Sequence, residues 1–283
     1  MQKESRFIAW VWIAIIFTQG IGLSQTVEED SSKSRAAKSL ISTIADDFLH
    51  VVSSPRRMSK SDALRFTSFL ALNVALIYGV DAEADEEFAL EGHKAYMKPA
   101  EALAEVGDLY DRIGTARVIA GLTTTMLAGG IIFKDKKLLN TVGLMIESSI
   151  ITGVITSLSK GLFGRSRPYT ERGAQAFNLF KFSLGREYLS FPSGHSSSAF
   201  AMMTVIAKQY DQWWIKYPAY TLAVSVALQR MEARQHWASD VVVGGVIGYC
   251  VSSTLVSRHR GKTNNQPLIP YFAANQIGVR IYF

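Results

Sequence analysis

The sequence predicts an all-α protein, a single helical bundle of about six core helices behind an N-terminal signal or anchor segment. Apolar segments of helical length recur along the 283-residue chain, strand-like alternation is nearly absent before the C-terminal tail, and no repeat or low-complexity linker divides them. A hydrophobic content of 48% is sufficient for one buried core. The segments are 66–80, 117–133, 138–158, 195–207, 217–228 and 241–257.

The N-terminus has the pattern of an export signal. Lys3 and Arg6 precede the apolar run FIAWVWIAIIF, and the small residues of TQGIGLSQ follow at a spacing compatible with cleavage. The apolar stretch from Phe7 to Leu23 is also nearly long enough to span a bilayer, so an uncleaved anchor is the alternative. Either case predicts an exported chain, located in the periplasm or the cell envelope.

The chain divides into four predicted parts: a signal or anchor at 1–24, a polar arm at 25–65, a helical domain at 66–260 and a tail at 261–283. Between the first two apolar segments lies an acidic amphipathic stretch, DAEADEEFALEGHKAYMKPAEALAEVGDLYDR, which we expect to form a solvated helix pair. The tail alternates apolar and polar residues, which indicates a surface strand or a loose end, with a sorting or docking signal as the alternative.

Membrane attachment is left open by the hydropathy pattern. The uncharged runs are about 12 to 17 residues long, which is short of the about 20 that a span requires, and Glu147 lies in the middle of the longest candidate. Basic clusters at 134–137, at Lys208 with Lys216, and at 258–262 would share one side of a six-span bundle, which favours spanning. A cleaved leader would instead place them on the outer side. We therefore expect a soluble or peripherally attached domain, with a membrane-embedded bundle as a close second.

The net charge of +6 and the pI near 9.3 indicate anionic partners without distinguishing nucleic acid, membrane surface and phosphorylated small molecules. The single cysteine, Cys250, excludes an intrachain disulfide and a cysteine metal site. Because it lies in the apolar run VVVGGVIGYCVSSTLV, we expect it to be a small buried residue.

The first motif with chemical content is KGLFGRSRPY. Lys160, Arg165 and Arg167 emerge from the end of an apolar helix, and Pro168 stops its continuation. Taken alone, such a cluster is an ordinary basic helix end that the helix dipole favours.

The second motif is FPSGHSSSAF. Pro192, Ser193 and Gly194 lead into an apolar helix whose first backbone amides can hold an anion, with His195 beside it. Taken alone, it is equally well a capped helix with an incidental histidine.

The third motif is ALQRMEARQHWASDVVVGG, which contains Arg230, His236 and Asp240. Residues four apart on a helix share a face, so the Asp240 carboxylate can orient the His236 ring and leave its other nitrogen free for attack. Such a pair is more often a surface pair than a catalytic one.

In this order and spacing the three motifs resemble the type 2 phosphatidic acid phosphatase family, which shares its site with vanadium-dependent haloperoxidases. The resemblance runs from Lys160 to Asp240. The sequence departs from the family pattern at Gln229, where the residue before the motif arginine is usually serine. We expect an altered secondary hydrogen bond and retained phosphate binding there.

The resemblance implies a role for each motif residue. His236, oriented by Asp240, would attack phosphorus and form a phosphohistidine, and His195 would protonate the leaving alkoxide. The residues implied in phosphate binding are Lys160, Arg167, Ser193, Gly194 and Arg230, with the backbone amides of Ser193 and Gly194 and the Ser193 hydroxyl completing the cradle.

The implied function is a metal-independent phosphatase that hydrolyses a phosphomonoester or diphosphate, in particular a lipid phosphate. No cofactor or metal is expected, and vanadate should inhibit. The expected partners are a phosphorylated lipid or a small phosphate ester and a possible membrane surface, with no nucleic acid. The alternatives are a vanadium-dependent haloperoxidase and a non-enzymatic phosphate-binding envelope protein.

Two arginines near the motifs and two tryptophans elsewhere have less specific predictions. Arg165 and Arg234 are expected as solvated charges at the rim of the site, with head-group binding as the alternative. Trp213 and Trp214 are expected either to anchor at a lipid interface or to pack between helices.

Overall fold

The structure is a computed structural model that describes residues 41–89, 97–180, 182, 185–263, 269–273 and 276–280. The predicted signal or anchor at 1–24 lies outside the described residues, as does the first part of the arm. The chain divides into two compact units, Met1–Ser42 and Thr43–Phe283, and the second contains all three motifs.

Every apolar segment predicted to be helical is helical, which confirms the all-α fold class. Within the described residues, short 3₁₀ turns at Ser54–Arg57, Pro168–Thr170 and Arg186–Tyr188 lie in the connections. The α-helices are α1 (41–52), α2 (Lys60–Gly79), α3 (Asp81–Ala89), α4 (Lys98–Ile113), α5 (Thr115–Ile132), α6 (Lys136–Phe163), α7 (Gly194–Gln209), α8 (Trp213–Glu232) and α9 (Ala238–Thr263).

Two short strands lie in the tail, where the alternating pattern indicated a strand. β1 (Ile269–Ala273) and β2 (Gln276–Arg280) pair antiparallel, with Ile269 opposite Arg280. This hairpin follows the last helix and leaves the all-helical core unchanged.

Helix α7 lies at the centre of the bundle and packs against α6, α8 and α9. Its side chains at Ala201, Met202 and Val205 are fully buried. Helix α9 approaches closely, because a Cβ placed at Gly248 would lie 2.2 Å from the Ser197 carbonyl oxygen. Only glycine permits this backbone contact, which brings the N-terminal ends of α7 and α9 together.

Helices pack into the core before residue 66, where the helical domain was predicted to begin. On α1, the side chains of Ile44, Phe48 and Val51 pack against the core and Asp47 is fully buried. Helix α2 begins at Lys60, where Ser59 and Asp62 form a capping box. The division of the chain into parts stays a prediction, but helical packing extends into the segment assigned to the arm.

Helices α6 to α9 alternate in direction, so the bundle has two chemically different ends. The motif residues lie at one end, where α6 and α8 finish and α7 and α9 begin. At the other end, the Arg260 guanidinium donates to the Lys208 carbonyl oxygen and the Lys137 ammonium lies 4.6 Å from the centre of the Tyr210 ring. The basic clusters therefore lie opposite the motifs.

Among the residues that the structure describes, three helices are long and apolar enough to cross a membrane: Thr115–Ile132, Lys136–Phe163 and Ala238–Arg260. Lys60–Gly79 with Asp81–Ala89, bent by 50°, makes a fourth if the pair counts as one span. The uncharged runs counted in the sequence are shorter than these helices, because each helix continues through polar residues at its ends.

The acidic residue in the middle of α6 is directed into the protein. Glu147 Oε2 lies 3.5 Å from His259 Nε2, and the same nitrogen lies 2.7 Å from Asp47 Oδ2. A buried charge that faces polar partners is compatible with a spanning helix, so Glu147 no longer argues against one.

The packing of the helices tests the expected exposure of Cys250 and of the two tryptophans. Cys250 is exposed, and its prediction as a buried residue was wrong, because its side chain lies on the opposite side of α9 from Gly248, which contacts α7. Trp213 and Trp214 are 66% and 59% exposed, with ring centres 5.8 Å apart. They contact each other edge to face and do not pack in the core.

Candidate active site

The first two motifs meet where α6 ends and α7 begins. The Lys160 ammonium donates a hydrogen bond of 2.6 Å to the Leu189 carbonyl oxygen in the loop that precedes α7. A Cβ placed at Gly194 would lie 3.7 Å from Lys160 Cε, so the lysine stem passes directly beside the first residue of α7. The motifs are therefore neighbours in space although more than thirty residues separate them.

The start of α7 supplies part of the predicted anion cradle. Ser193 is the N-cap, and its hydroxyl oxygen accepts from the Ser196 amide at 3.4 Å. The amides of Gly194 and His195 open the helix and have no intrahelical acceptor, which leaves them for an anion.

One predicted cradle group is occupied. The Ser193 backbone amide donates a hydrogen bond of 3.0 Å to the Asp240 carbonyl oxygen, so it does not point at an anion. The expectation that this amide joins the cradle was wrong, because tertiary contact with α9 uses it. The Ser193 hydroxyl remains beside the site, where the Ser196 hydroxyl contacts it at 3.0 Å.

His236 and Asp240 are paired, but not across a helical face as the spacing suggested. His236 lies in the turn before α9, and Asp240 lies in the first turn of that helix. His236 Nδ1 is 3.7 Å from Asp240 Oδ2, which is a charge contact longer than a hydrogen bond. The imidazole therefore directs its Nε2 edge away from Asp240.

The Asp240 carboxylate is fixed by several donors. Its Oδ2 accepts from the Ser190 hydroxyl at 2.5 Å and from the Trp237 amide at 3.0 Å. Its Oδ1 accepts from Arg165 Nη1 at 2.5 Å. A fully buried carboxylate with this set of donors is held in its charged form in one orientation.

Arg165 is not a solvated rim charge, and that prediction was wrong. Its side chain is completely buried and bridges two carboxylates, because its Nη2 also donates to Asp81 Oδ2 at 2.6 Å. Asp81 in turn accepts from the Ser239 amide at 2.8 Å and the Ser239 hydroxyl at 2.5 Å. Arg165 therefore supports Asp240 from behind instead of contacting a ligand.

The acidic stretch between the first two apolar segments contributes to the site, which the prediction of a solvated pair missed. Asp81 pairs with Arg165, and Asp85 makes two contacts with Arg234, at 3.1 Å and 2.7 Å. Asp111, at the end of α4, contacts Arg230 at 2.6 Å. The sequence showed several aspartates at helical spacing, which could have suggested a functional face, but it did not indicate which cations they pair with.

The side chain of Arg230, near the end of α8, is almost completely buried. Its Nε donates to Gln229 Oε1 at 2.7 Å, and its Nη2 lies 2.6 Å from Asp111 Oδ2. The Gln229 side chain, which stands where the family usually has serine, thus aligns the guanidinium of Arg230 within the described structure.

Arg167 follows α6 and is partly buried. Its Nη1 donates to Gln235 Oε1, next to His236 in the third motif. Burial lowers its pKa, yet a guanidinium stays charged at any physiological pH.

Both site histidines are neutral in the absence of ligand. Burial lowers the pKa of His236 to about 3, the Asp240 carboxylate opposes this change, and Lys160 and Arg167 add to it. Burial also lowers the pKa of His195 to about 4, and Arg230, Lys160 and Arg167 act in the same direction. The same two cations, Lys160 and Arg167, thus act on both rings.

Among the described residues, one group of side chains is compact enough to hold a metal ion: Asp47, Glu147 and His259. Glu147 lies about 20 Å from Lys160 along α6, at 1.5 Å per residue. Arg258 already contacts Asp47 Oδ1 at 2.7 Å, and a guanidinium there disfavours a second cation. The group is far from the three motifs.

Comparison with known proteins finds similarity to one family in this region. The model of the PAP2 superfamily matches residues 141–263. A lipid A 1-phosphatase of Porphyromonas gingivalis is 35% identical over 82 residues, which cover 26% of this chain and 18% of that protein. A lipid A 1-phosphatase of Rhizobium etli is 28% identical over 104 residues, covering 37% and 44%. One of Rhizobium johnstonii is 28% identical over 99 residues, covering 35% and 40%.

A solved structure, the crystal structure of Aquifex aeolicus LpxE, is similar with a TM-score of 0.43 and 23% identity, over 63% of this chain and 96% of that chain. The chain spans less than half of the length of each of these curated relatives. The matched region, residues 141–263, contains all three motifs from Lys160 to Asp240 and is similar to the PAP2 superfamily, as the motif resemblance predicted.

Proposed function

We propose that this chain is a phosphatase that hydrolyses a phosphomonoester or diphosphate of a lipid through a phosphohistidine at His236. The observation that carries the proposal is that the three motifs meet at one place. The Lys160 stem passes beside Gly194, and the Ser193 amide donates to the Asp240 carbonyl oxygen. Arg167 donates to Gln235, the residue before His236.

Phosphoryl transfer needs one neutral imidazole that attacks, which is His236, and one protonated imidazole that gives its proton to the leaving oxygen. We propose that His195 takes up this proton when the bound phosphoryl anion offsets the cations around it. The match of residues 141–263 to the PAP2 superfamily supports the same reaction.

In the first step, Nε2 of His236 forms a bond to phosphorus as the ester P–O bond breaks. The neutral ring carries its proton on Nδ1, which faces Asp240, so the carboxylate stabilises the imidazolium that develops. The leaving alkoxide takes a proton from His195, and Lys160, Arg167 and the amides at the start of α7 stabilise charge on the phosphoryl oxygens.

In the second step, water attacks phosphorus and the P–N bond breaks. His195, now neutral, accepts a proton from the water, and His236 returns to its starting form as inorganic phosphate leaves. The chain's own cations supply the charge stabilisation, so we propose that the reaction needs no metal and that vanadate occupies the same cradle.

A lipid substrate is supported by the surface around the motif end. Leu179, Phe180 and Phe182 are 58%, 70% and 58% exposed, and they lie in the loop between the first two motifs. The Phe180 amide donates to the Leu162 carbonyl oxygen at 2.7 Å, which fixes this apolar loop within one turn of Lys160. Exposed apolar side chains at the entrance suit a substrate with acyl or prenyl chains.

The names of the relatives point to a more specific substrate. Three of them are called lipid A 1-phosphatase, and a sugar 1-phosphate on a lipid would present the same phosphoryl group to the cradle. We propose a glycolipid phosphate as the first substrate to test.

We further propose that the bundle is embedded in a membrane with its site on the outer side. The candidate spans in α5, α6 and α9 support embedding. The basic clusters lie at the opposite end from the motifs, and positive residues favour the cytoplasmic side, so the motif end would face outward.

The test is phosphate release from a panel of lipid A phosphate, phosphatidate, polyprenyl diphosphate and a small soluble ester, with and without detergent. We expect release from a lipid substrate in detergent, unaffected by EDTA and inhibited by vanadate. Activity confined to the soluble ester would contradict the lipid assignment. Bromination that depends on peroxide and vanadate, without phosphate release, would replace it with the haloperoxidase alternative.

The covalent step needs a separate measurement. Acid-labile phosphate should be trapped on quenched enzyme after incubation with labelled substrate, and it should be absent from His236→Asn. The matched control is His50→Asn, since His50 lies on α1 outside the three motifs. Turnover without any trapped phosphate on the wild-type enzyme would count against the phosphohistidine.

A further inference from the structure

A second pair of imidazole and carboxylate lies in the site, apart from His236 and Asp240. Asp111, in the last turn of α4, has Oδ1 at 3.6 Å from His195 Nε2 and Oδ2 at 2.6 Å from Arg230 Nη2. Asp111 belongs to none of the three motifs. Its side chain is 35% exposed, whereas that of Arg230 is 6% exposed.

We infer that Asp111 is a positioning residue for the departure of the leaving group, because its carboxylate orients His195 and stabilises the protonated ring facing the ester oxygen. The inference rests on the proposed phosphatase function and adds a residue to it. Asp111 would act through His195 and would not contact the reacting atoms.

The packing of α4 on α8 fixes Asp111 in this place. A Cβ at Gly107 would lie 2.2 Å from the Ser225 carbonyl oxygen, so the two helices are in backbone contact there. One turn later on α4 comes Asp111, and about one turn beyond Ser225 on α8 comes Arg230. The contact between carboxylate and guanidinium is therefore set by the helix crossing instead of by a mobile loop.

The Asp111 carboxylate offsets the positive charges that surround His195. Arg230 from α8, Lys160 from α6 and Arg167 from the following loop all disfavour a second positive charge on the ring, whereas Asp111 from α4 favours it. A proton donor must be protonated before the ester bond breaks. Asp111 and the incoming phosphoryl anion together offset the three cations, and its exposure gives the pair access to solvent protons.

Asp111 also balances Arg230 before substrate arrives. A phosphoryl oxygen that binds Arg230 Nη2 must share or replace the contact with Asp111 Oδ2, while Gln229 Oε1 keeps hold of Arg230 Nε. Removal of the carboxylate should therefore strengthen binding of the ground-state anion and slow leaving-group departure. These opposite effects separate the proposed role from general damage to the site.

The experiment compares two esters that share a phosphoryl group and differ in leaving group. In Asp111→Asn, kcat/KM for hexyl phosphate should fall by about 10²-fold, the lower range for general acid catalysis, because an alkoxide needs a proton. For p-nitrophenyl phosphate, whose leaving group departs unprotonated, it should change by less than about 3-fold. Asp111→Glu should recover part of the hexyl phosphate activity.

The matched control is Asp108→Asn on the same helix. Asp108 pairs with Arg112 at 2.5 Å near the surface, so this variant removes a carboxylate and an ion pair without touching His195. We expect unchanged activity on both esters. Thermal unfolding of both aspartate variants shows whether either change affects the fold.

An NMR titration of His195 provides a readout that does not need turnover. With inorganic phosphate present or absent, Asp111→Asn should titrate His195 at lower pH than the wild-type protein does. Equal losses on the two esters together with an unchanged titration would overturn the inference. A wild-type protein inactive on both esters that still shows the shifted titration would overturn the phosphatase proposal and leave the pairing supported.

Discussion

The backbone amide of Ser193 donates a hydrogen bond to the backbone carbonyl oxygen of Asp240, with 3.0 Å between the two atoms. This bond joins the second motif to the third at the point where α7 and α9 both begin. His195 follows Ser193 by two residues, and His236 precedes Asp240 by four. The backbone positions of both histidines are therefore fixed by one contact between main-chain atoms, and substitution of side chains can test the chemistry without moving this frame.

Replacement of His236 by asparagine should lower kcat by about 10³-fold or more, since it removes the proposed nucleophile. Asparagine is smaller and polar, so the turn before α9 should persist and circular dichroism should be unchanged. Steady-state kinetics on the preferred ester measures the loss. Activity within a factor of two of wild type would eliminate His236 as nucleophile.

Replacement of Arg165 by leucine should destabilise the protein by about 3 to 5 kcal/mol, because Asp81 and Asp240 would remain buried without their shared cation. Denaturant unfolding in detergent measures the change. Arg112→Leu is the control, since Arg112 is 77% exposed and should alter stability by less than about 0.5 kcal/mol. A small effect at Arg165 would show that the two carboxylates find other partners.

Acid should weaken the fold through the two site histidines. Their folded-state pKa values, about 3 for His236 and about 4 for His195, lie below the ordinary value of 6.5, so the unfolded chain binds protons first. Stability should be complete above pH 6.5 and fall below it by up to about 1.4 kcal/mol per pH unit for the buried His236. The contribution of His195 should be smaller, because its side chain is 34% exposed and solvent screens its charge. Thermal unfolding against pH measures this slope, and His236→Asn should make it shallower; an unchanged slope would contradict a neutral buried His236.

Substitution of Phe180 by serine should reduce kcat/KM on a lipid phosphate several-fold, about the effect of losing 1 to 2 kcal/mol of apolar contact. The small soluble ester should be hydrolysed at the wild-type rate. Phe133→Ser is the matched control, because Phe133 is 80% exposed at the end of α5, away from the motifs. Parallel losses on the lipid and the soluble ester would indicate damage to the site instead of lost lipid contact.

Vanadate should inhibit competitively with substrate, because its trigonal bipyramidal form can occupy a cradle built for phosphoryl transfer. EDTA should leave activity unchanged, since the proposed mechanism relies on Lys160, Arg167 and Arg230 for charge stabilisation. Initial rates at several concentrations of each reagent provide the measurement. Activity that EDTA abolishes and an added metal restores would refute metal independence.

Much of the fold could be predicted from local pattern. The apolar segments all became helices, and Ser193 caps α7 where PSGH suggested a helix start. Exposure was harder, since Cys250 has apolar neighbours in sequence yet lies on the outer face of α9. Hydropathy measures how apolar a stretch of helix is. Which side of α9 faces a neighbouring helix depends on how α9 crosses α7.

In the candidate site, too, the sequence predicted some residues and only the packing showed the others. The motif resemblance predicted that Lys160, His195 and His236 share one site, and their catalytic roles stay predictions. It did not identify Asp81 or Asp111, which contribute through contacts with Arg165 and Arg230 across long stretches of chain. A solvated aspartate and a buried aspartate look alike in sequence until a partner is known.

By itself, the sequence determined the helical architecture, and its motifs predicted the end of the bundle at which chemistry is expected and the cations and histidines of the candidate site. The tertiary structure alone decided which carboxylate serves which cation, and that the Ser193 amide binds Asp240 instead of an anion. The reason is physical: helix formation depends on neighbours in sequence, whereas the environment of a charge depends on groups brought within a few ångströms of it by packing.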